Sequence, residues 1–283
     1  MKRVTWGWAI VLILGLAITG CRQPEEKRYE LKGKVVNVDQ RAQLVNIAHE
    51  EINGYMGSMT MAFRLRDKDL FYLNELQPGD EIQAILVVAG SKSWLEELVV
   101  SQVRNAEAPP PTKVSEPNVG DEIPDFALLN QDNKRINLKN YRGRALVVTF
   151  IYTRCPLPDY CPLMTDNFAV IHKTLSETPA LQKRVHLLSI TVDPEFDKPA
   201  VLRDYGLKHN GGQKFETWEF ATGSKEEVKH IATHFGLYYS TEKDQIVHNL
   251  QTAIISPDGK LVKIYRGNDW KPEEIVSELQ KLS

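Results

Sequence analysis

Cys155 and Cys161 stand six positions apart, directly after the apolar run at residues 145–152. The stretch reads Thr153-Arg-Cys155-Pro-Leu-Pro-Asp-Tyr-Cys161-Pro162. A thiol pair serves either as soft metal ligands or as a redox couple. His248 lies far downstream, at the start of the strand expected over residues 252–256, and its imidazole argues for the metal. A second concentration of soft donors lies upstream. Of five methionines, one is the initiator and three fall at Met56, Met59 and Met61. Met59 and Met61 are two apart on an expected strand, so both side chains face one side. Thioethers select Cu(I), and His49 on the preceding segment can complete that site. An isolated Met-x-Met is more often core packing, and a lone histidine more often structural. The clustering of Met56, Met59, Met61 and His49 is what points to a metal.

The elements that must hold these residues fall into two groups. Residues 31–38, 43–48, 60–65, 81–88 and 94–103 read as five short strands, with a turn at Leu76-Gln-Pro-Gly-Asp80. Five strands in this length suit a small all-β barrel of the oligonucleotide/oligosaccharide-binding kind over 29–105. From 119 to 283 strands and helices alternate. Buried strands are expected at 145–152 and 185–192, helices at 161–175, 198–205 and 225–235, a hairpin at 252–265 and a closing helix at 272–282. That order is the thioredoxin-like α/β arrangement. In it the cysteine pair follows the first central strand, and Cys161 opens the next helix, where the macrodipole favours a thiolate. Residues 106–118 are a Pro-rich spacer between the two units.

The N-terminus sets the compartment. Lys2 and Arg3 precede an apolar stretch from Trp6 to Ile18, then Leu16-Ala-Ile-Thr-Gly20-Cys21. The apolar run suits a signal segment better than a membrane span. It resembles a bacterial lipoprotein signal over 1–20, with Cys21 lipidated and 21–28 a tether. The protein is then extracytoplasmic, lipid-anchored to a bacterial membrane on its periplasmic side or at the cell surface. Loss of Lys2 and Arg3 lowers the 35 basic residues by two against 37 acidic ones, a formal charge of about −4. No basic patch suggests nucleic acid.

Residues 31–103 resemble the CusF-like periplasmic copper-binding domain, through Gly33-Lys-Val-Val-Asn-Val-Asp39, His49, Met59-Thr-Met61 and the Leu76–Asp80 turn. The resemblance implies a Cu(I) site of His49, Met59 and Met61. That family caps its metal with a tryptophan, and Met56 stands at that place here. Residues 119–283 resemble the Sco/SenC family. The match rests on Cys155 and Cys161 flanked by Pro156 and Pro162, Thr191-Val-Asp193-Pro194 with Asp197 and Pro199, His248, and Ser256-Pro-Asp-Gly259. It implies one copper, Cu(I) or Cu(II), on Cys155, Cys161 and His248, with Asp193 either beside the site or a strand-end turn residue. It also implies delivery to the binuclear centre of cytochrome c oxidase subunit II, supported by an extracytoplasmic thiol reductant. The family usually has three residues between its cysteines; this chain has five.

The resulting expectation is a membrane-anchored copper chaperone, with Cu(I) relayed from the barrel to the cysteine site. Two alternatives stand beside it. One is a thiol–disulfide oxidoreductase or peroxidase-like enzyme in which Cys155 and Cys161 are the redox pair. The other is a copper-tolerance buffer that binds without delivering.

Overall fold

The alternation of apolar and polar residues in the first hundred positions demands a sheet with one buried face. The computed structural model, which describes residues 26–90, 92–102, 116–237, 239–242 and 245–282, shows that sheet. Its strands are β1 (Glu26–Asp39), β2 (Leu44–His49), β3 (Met59–Arg64), β4 (Glu81–Ala89) and β5 (Lys92–Gln102), with a single helical turn α1 (Tyr72–Glu75) between β3 and β4. The order is β3-β2-β1-β4-β5. A parallel bridge from Leu65 to Leu95, with Arg66 N–H donating to the Leu95 carbonyl at 3.0 Å, joins the two edge strands and closes the barrel. Closure removes the open edges that would otherwise pair with other chains. Leu31, Val45, Ile47, Phe63, Ile82, Leu86 and Leu95 fill the interior. β1 begins at Glu26, so the last residues of the expected tether are strand. The signal segment, Cys21 and residues 106–115 of the expected spacer lie outside the described residues, as do 103–105 at the end of the expected barrel.

The second unit is a seven-stranded mixed sheet ordered β14-β13-β8-β9-β10-β6-β7. Its edge hairpin is β6 (Ala127–Asn130) and β7 (Arg135–Asn137). The centre is β8 (Ala145–Ile151), β9 (Val185–Thr191) and β10 (Trp218–Thr222), all parallel. Every residue of β8 and β9 is buried, as a strand covered on both faces requires. Helices α2 (Cys161–Ser176), α3 (Pro179–Gln182), α4 (Pro199–His209), α5 (Lys225–His234) and α6 (Pro272–Lys281) supply the cover. A two-stranded hairpin, β11 (Tyr239–Glu242) and β12 (Gln245–His248), precedes β13 (Gln251–Ile255) and β14 (Leu261–Arg266).

Two features depart from the sequence reading. β10 was not anticipated, because a charged residue, Glu219, interrupts its five residues. In the fold that carboxylate accepts from the Tyr141 hydroxyl at 2.6 Å and Asn130 Nδ2 at 2.7 Å, and lies 3.0 Å from His186 Nε2. Burial pushes the Glu219 carboxyl up, but these partners outweigh it and hold it at about 2. His248 ends β12 and is separated from β13 by Asn249 and Leu250, rather than opening the following strand. The Asn210-Gly-Gly-Gln213 stretch is a turn that follows and caps α4. Gly211 and Gly212 take positive φ, and Gly212 N–H donates to the Leu207 carbonyl at 3.0 Å.

Candidate metal centre

A central parallel strand must hand over to its crossover helix at its carboxyl end, and the turn that does so here carries both cysteines. β8 ends at Ile151, and α2 begins at Cys161 with Pro162 next to it. Proline in the first turn costs no hydrogen bond and fixes the helix start. The turn is pinned from below. Asp197 accepts from Thr153 N–H at 3.0 Å, from the Thr153 hydroxyl and from the Thr191 hydroxyl at 2.6 Å. Asp193 accepts from Arg154 Nη2 at 2.6 Å and Nε at 3.2 Å, and the Arg154 guanidinium stacks over Phe196 at 4.1 Å. Asp193 therefore holds the residue before Cys155, instead of merely ending a strand. Its partner Arg154 was not singled out from sequence. Its place beside Cys155 is the signal that could have raised it.

Cys161 Sγ and His248 Nε2 lie 3.3 Å apart, both buried. His248 Nδ1 faces the Asn249 carbonyl at 2.8 Å. A carbonyl only accepts, so Nδ1 carries the proton and Nε2 presents its lone pair to the sulfur. Burial pushes the imidazole down to about 4, which keeps it neutral and ligand-ready. Tyr152 packs edge-on against it, ring centroids 5.9 Å apart. The two thiols are unequal. Cys155, half-buried, is brought down to about 6 by the Cys161 thiol donating to it, helped by backbone N–H groups and the Tyr152 hydroxyl. Cys161 is pushed well up by burial and by the neighbouring Cys155. The helix N-terminus was expected to favour a thiolate at Cys161; complete burial overrides that, and the acidic thiol is Cys155. Both cysteines are free thiols. Among the described residues no three His, Cys, Asp or Glu side chains form a preformed metal cage.

In the barrel, β2 and β3 pair so that His49 stands directly opposite Met59, and Ile47 opposite Met61. Opposed residues share a face, so His49, Met59 and Met61 all project to the same side. His49 and Met61 are buried, and Met56 and Met59 half-buried against the barrel core. His49 Nδ1 lies 2.6 Å from the Glu50 carbonyl, again fixing the tautomer. Met56 closes a small loop by bridging to Ile52. Gly33 makes the close crossing possible, since a Cβ there would meet the Ala48 carbonyl oxygen at 2.6 Å and His49 Cα at 2.8 Å. Trp94, distant in sequence, lines the same cleft as Met56, Met59 and Met61.

A barrel carrying a thioether–imidazole face, joined to a thioredoxin-like unit carrying a thiol–thiol–imidazole group, defines a class of soft-metal binding protein. The SCO1/SenC family model matches residues 115–283, and the chain belongs to that family. Residues 28–98 match the copper binding periplasmic protein CusF. The SCO1 protein homolog of Bacillus subtilis is 32% identical over 167 residues, covering 57% of this chain and 83% of that protein. The mitochondrial SCO2 homolog of Mus musculus is 30% identical, covering 56% of this chain and 60% of that protein. A SCO1/SenC family lipoprotein of Bacillus anthracis superposes with a TM-score of 0.51 at 29% identity, over 57% of this chain and 94% of that one. The copper-bound ScoI of Arabidopsis thaliana gives a TM-score of 0.50 at 26% identity, over 58% and 98%. Both halves point to copper as the metal.

Proposed function

We propose that this chain is a copper chaperone that holds Cu(I) on Cys155, Cys161 and His248 and delivers it to cytochrome c oxidase subunit II. The observation that carries the reading is the Cys161–His248 contact at 3.3 Å, with the acidic thiol of Cys155 beside it. A thiol that is already ionised and a neutral imidazole lone pair bind a soft cation without first losing protons. Copper then draws the second thiolate into a trigonal set. The BsSco protein, with which the fold superposes at a TM-score of 0.50 and 30% identity, is described as a member of the Sco family of cytochrome c oxidase assembly proteins. That description supports the recipient.

The barrel is a second Cu(I) site on His49, Met59 and Met61. The division into barrel, spacer and Sco-like unit at 29–105, 106–118 and 119–283 is part of the same reading, as is lipidation of Cys21 on the outer face of a bacterial membrane. The lipoprotein character of the Bacillus anthracis neighbour supports the anchor.

The test mixes copper-loaded protein with a purified, copper-free oxidase copper domain and measures copper in each after separation. Copper moving to the domain supports the chaperone. Reduction of the domain's cysteines without copper transfer selects the thiol–disulfide enzyme. Retention of copper selects the buffer.

A further inference from the structure

The five residues between the cysteines are not idle spacer. They form one wall of a cleft of about 830 Å³, and the barrel forms the other. Residues 156–160 face Met56, Met59 and Met61 across it. The two walls are tied together. The Tyr160 ring packs against the cores of both units, and its hydroxyl donates to the Ala62 carbonyl, next to Met61, at 3.3 Å. Arg64 at the end of β3 pairs with Asp269 of the second unit at 2.6 Å. Asn268 Nδ2 donates to the Asp159 carbonyl at 2.9 Å, fixing the loop to the turn after β14.

We infer that the loop over 156–160 is the docking element through which the barrel passes Cu(I) directly to Cys155 and Cys161, inside one molecule. The inference rests on the proposed function and adds the route. A cysteine flanks each end of the loop, so the wall that touches the methionine strand is continuous with both thiols. Met56, half-buried on the cleft, supplies a thioether between the barrel site and the loop. The step is ligand exchange. Copper remains Cu(I), thioether and imidazole bonds break as copper–thiolate bonds form, and any thiol proton displaced goes to solvent. The direction is downhill, because thiolates hold Cu(I) more tightly than neutral thioethers. A donor held beside its acceptor reacts at a rate set by local concentration, not by encounter.

The experiment uses the full chain, reduced and anaerobic in detergent micelles. It is offered the Cu(I)–bicinchoninate complex, and the copper–thiolate absorption is followed in time. Asp269→Arg breaks the exposed tie across the cleft without touching either core or either ligand set. The inference expects D269R to load its thiolates about tenfold more slowly than the native chain and reach the same endpoint. The double substitution Met59→Leu and Met61→Leu loses the barrel copper and is equally slow. In the native chain the transfer phase that follows copper capture by the barrel does not depend on protein concentration. Native rates in both variants overturn the relay while leaving the function standing. No thiolate-bound copper in the native chain overturns both.

Discussion

Cys161 Sγ and His248 Nε2 are 3.3 Å apart although 87 residues separate them in the chain. The contact is made by the α2 N-terminus and the end of the β11–β12 hairpin, two elements with no local reason to meet. Removing the imidazole tests what the contact is for. His248→Ala is expected to weaken Cu(I) binding at the cysteine site by about tenfold or more, the scale set by loss of groups around a metal. The Cys155 and Cys161 thiols should still oxidise to a disulfide. Competition titration and thiol counting of the variant read both effects.

Thiol reactivity should separate the two cysteines. Cys155 sits at about 6 because Cys161 donates to it, and Cys161 sits well above its ordinary value because it is buried. Alkylation of Cys155 by iodoacetamide should rise with pH through a midpoint at about 6 and then level off, while Cys161 stays slow. Mass spectrometry of quenched samples across pH checks it.

Proton release on metal binding follows from the same groups. With Cys155 ionised and His248 neutral above about 4, the proton left to displace at neutral pH is on Cys161. Apparent Cu(I) affinity should therefore increase with pH between 7 and 8, with about one proton released per copper. Protonation of His248 adds a further loss only as pH falls toward 4. Parallel titrations in weak and strong buffer measure the release.

The loop supports make a stability prediction. Asp197 is buried and satisfies the Thr153 backbone and the Thr191 hydroxyl. Asp197→Ala leaves those donors without an acceptor and should cost about 1–3 kcal/mol. The same change frees the residues before Cys155, so copper affinity should fall as well. Denaturant unfolding and copper competition on one preparation show whether both move together.

In the barrel, Gly33 is expected to matter through His49. Gly33→Ala must push β2 aside, at a cost of about 1–3 kcal/mol for overpacking. It should weaken the methionine site while leaving the cysteine site unchanged. Thermal unfolding with copper titration of the barrel site measures both consequences.

Much of this was legible in the sequence because the chemistry-bearing residues are rare types in tight spacing. Three methionines within six positions and two cysteines flanking a Pro-rich turn stand out against any background. Strands β8 and β9 announced themselves as unbroken apolar runs. β10 did not, since Glu219 is tolerated there only through Tyr141, Asn130 and His186, which come from other elements. The roles of Arg154 and Tyr160 were hidden for a related reason, although Arg154 stands next to Cys155. Their meaning depends on Asp193 and Ala62, which meet them only after folding. The unequal acidity of the cysteines was likewise invisible, because burial of Cys161 opposes the helix terminus that spacing alone would favour.

The chain is expected to hold two copper sites of different ligand character. Anaerobic Cu(I) titration of the reduced protein under competition tests it most directly, with the paired substitutions Cys155→Ala/Cys161→Ala and Met59→Leu/Met61→Leu alongside. Two coppers are expected in the native chain and one in each paired variant. A native chain that takes up no thiolate-dependent copper, or one whose stoichiometry survives loss of both methionines, contradicts it.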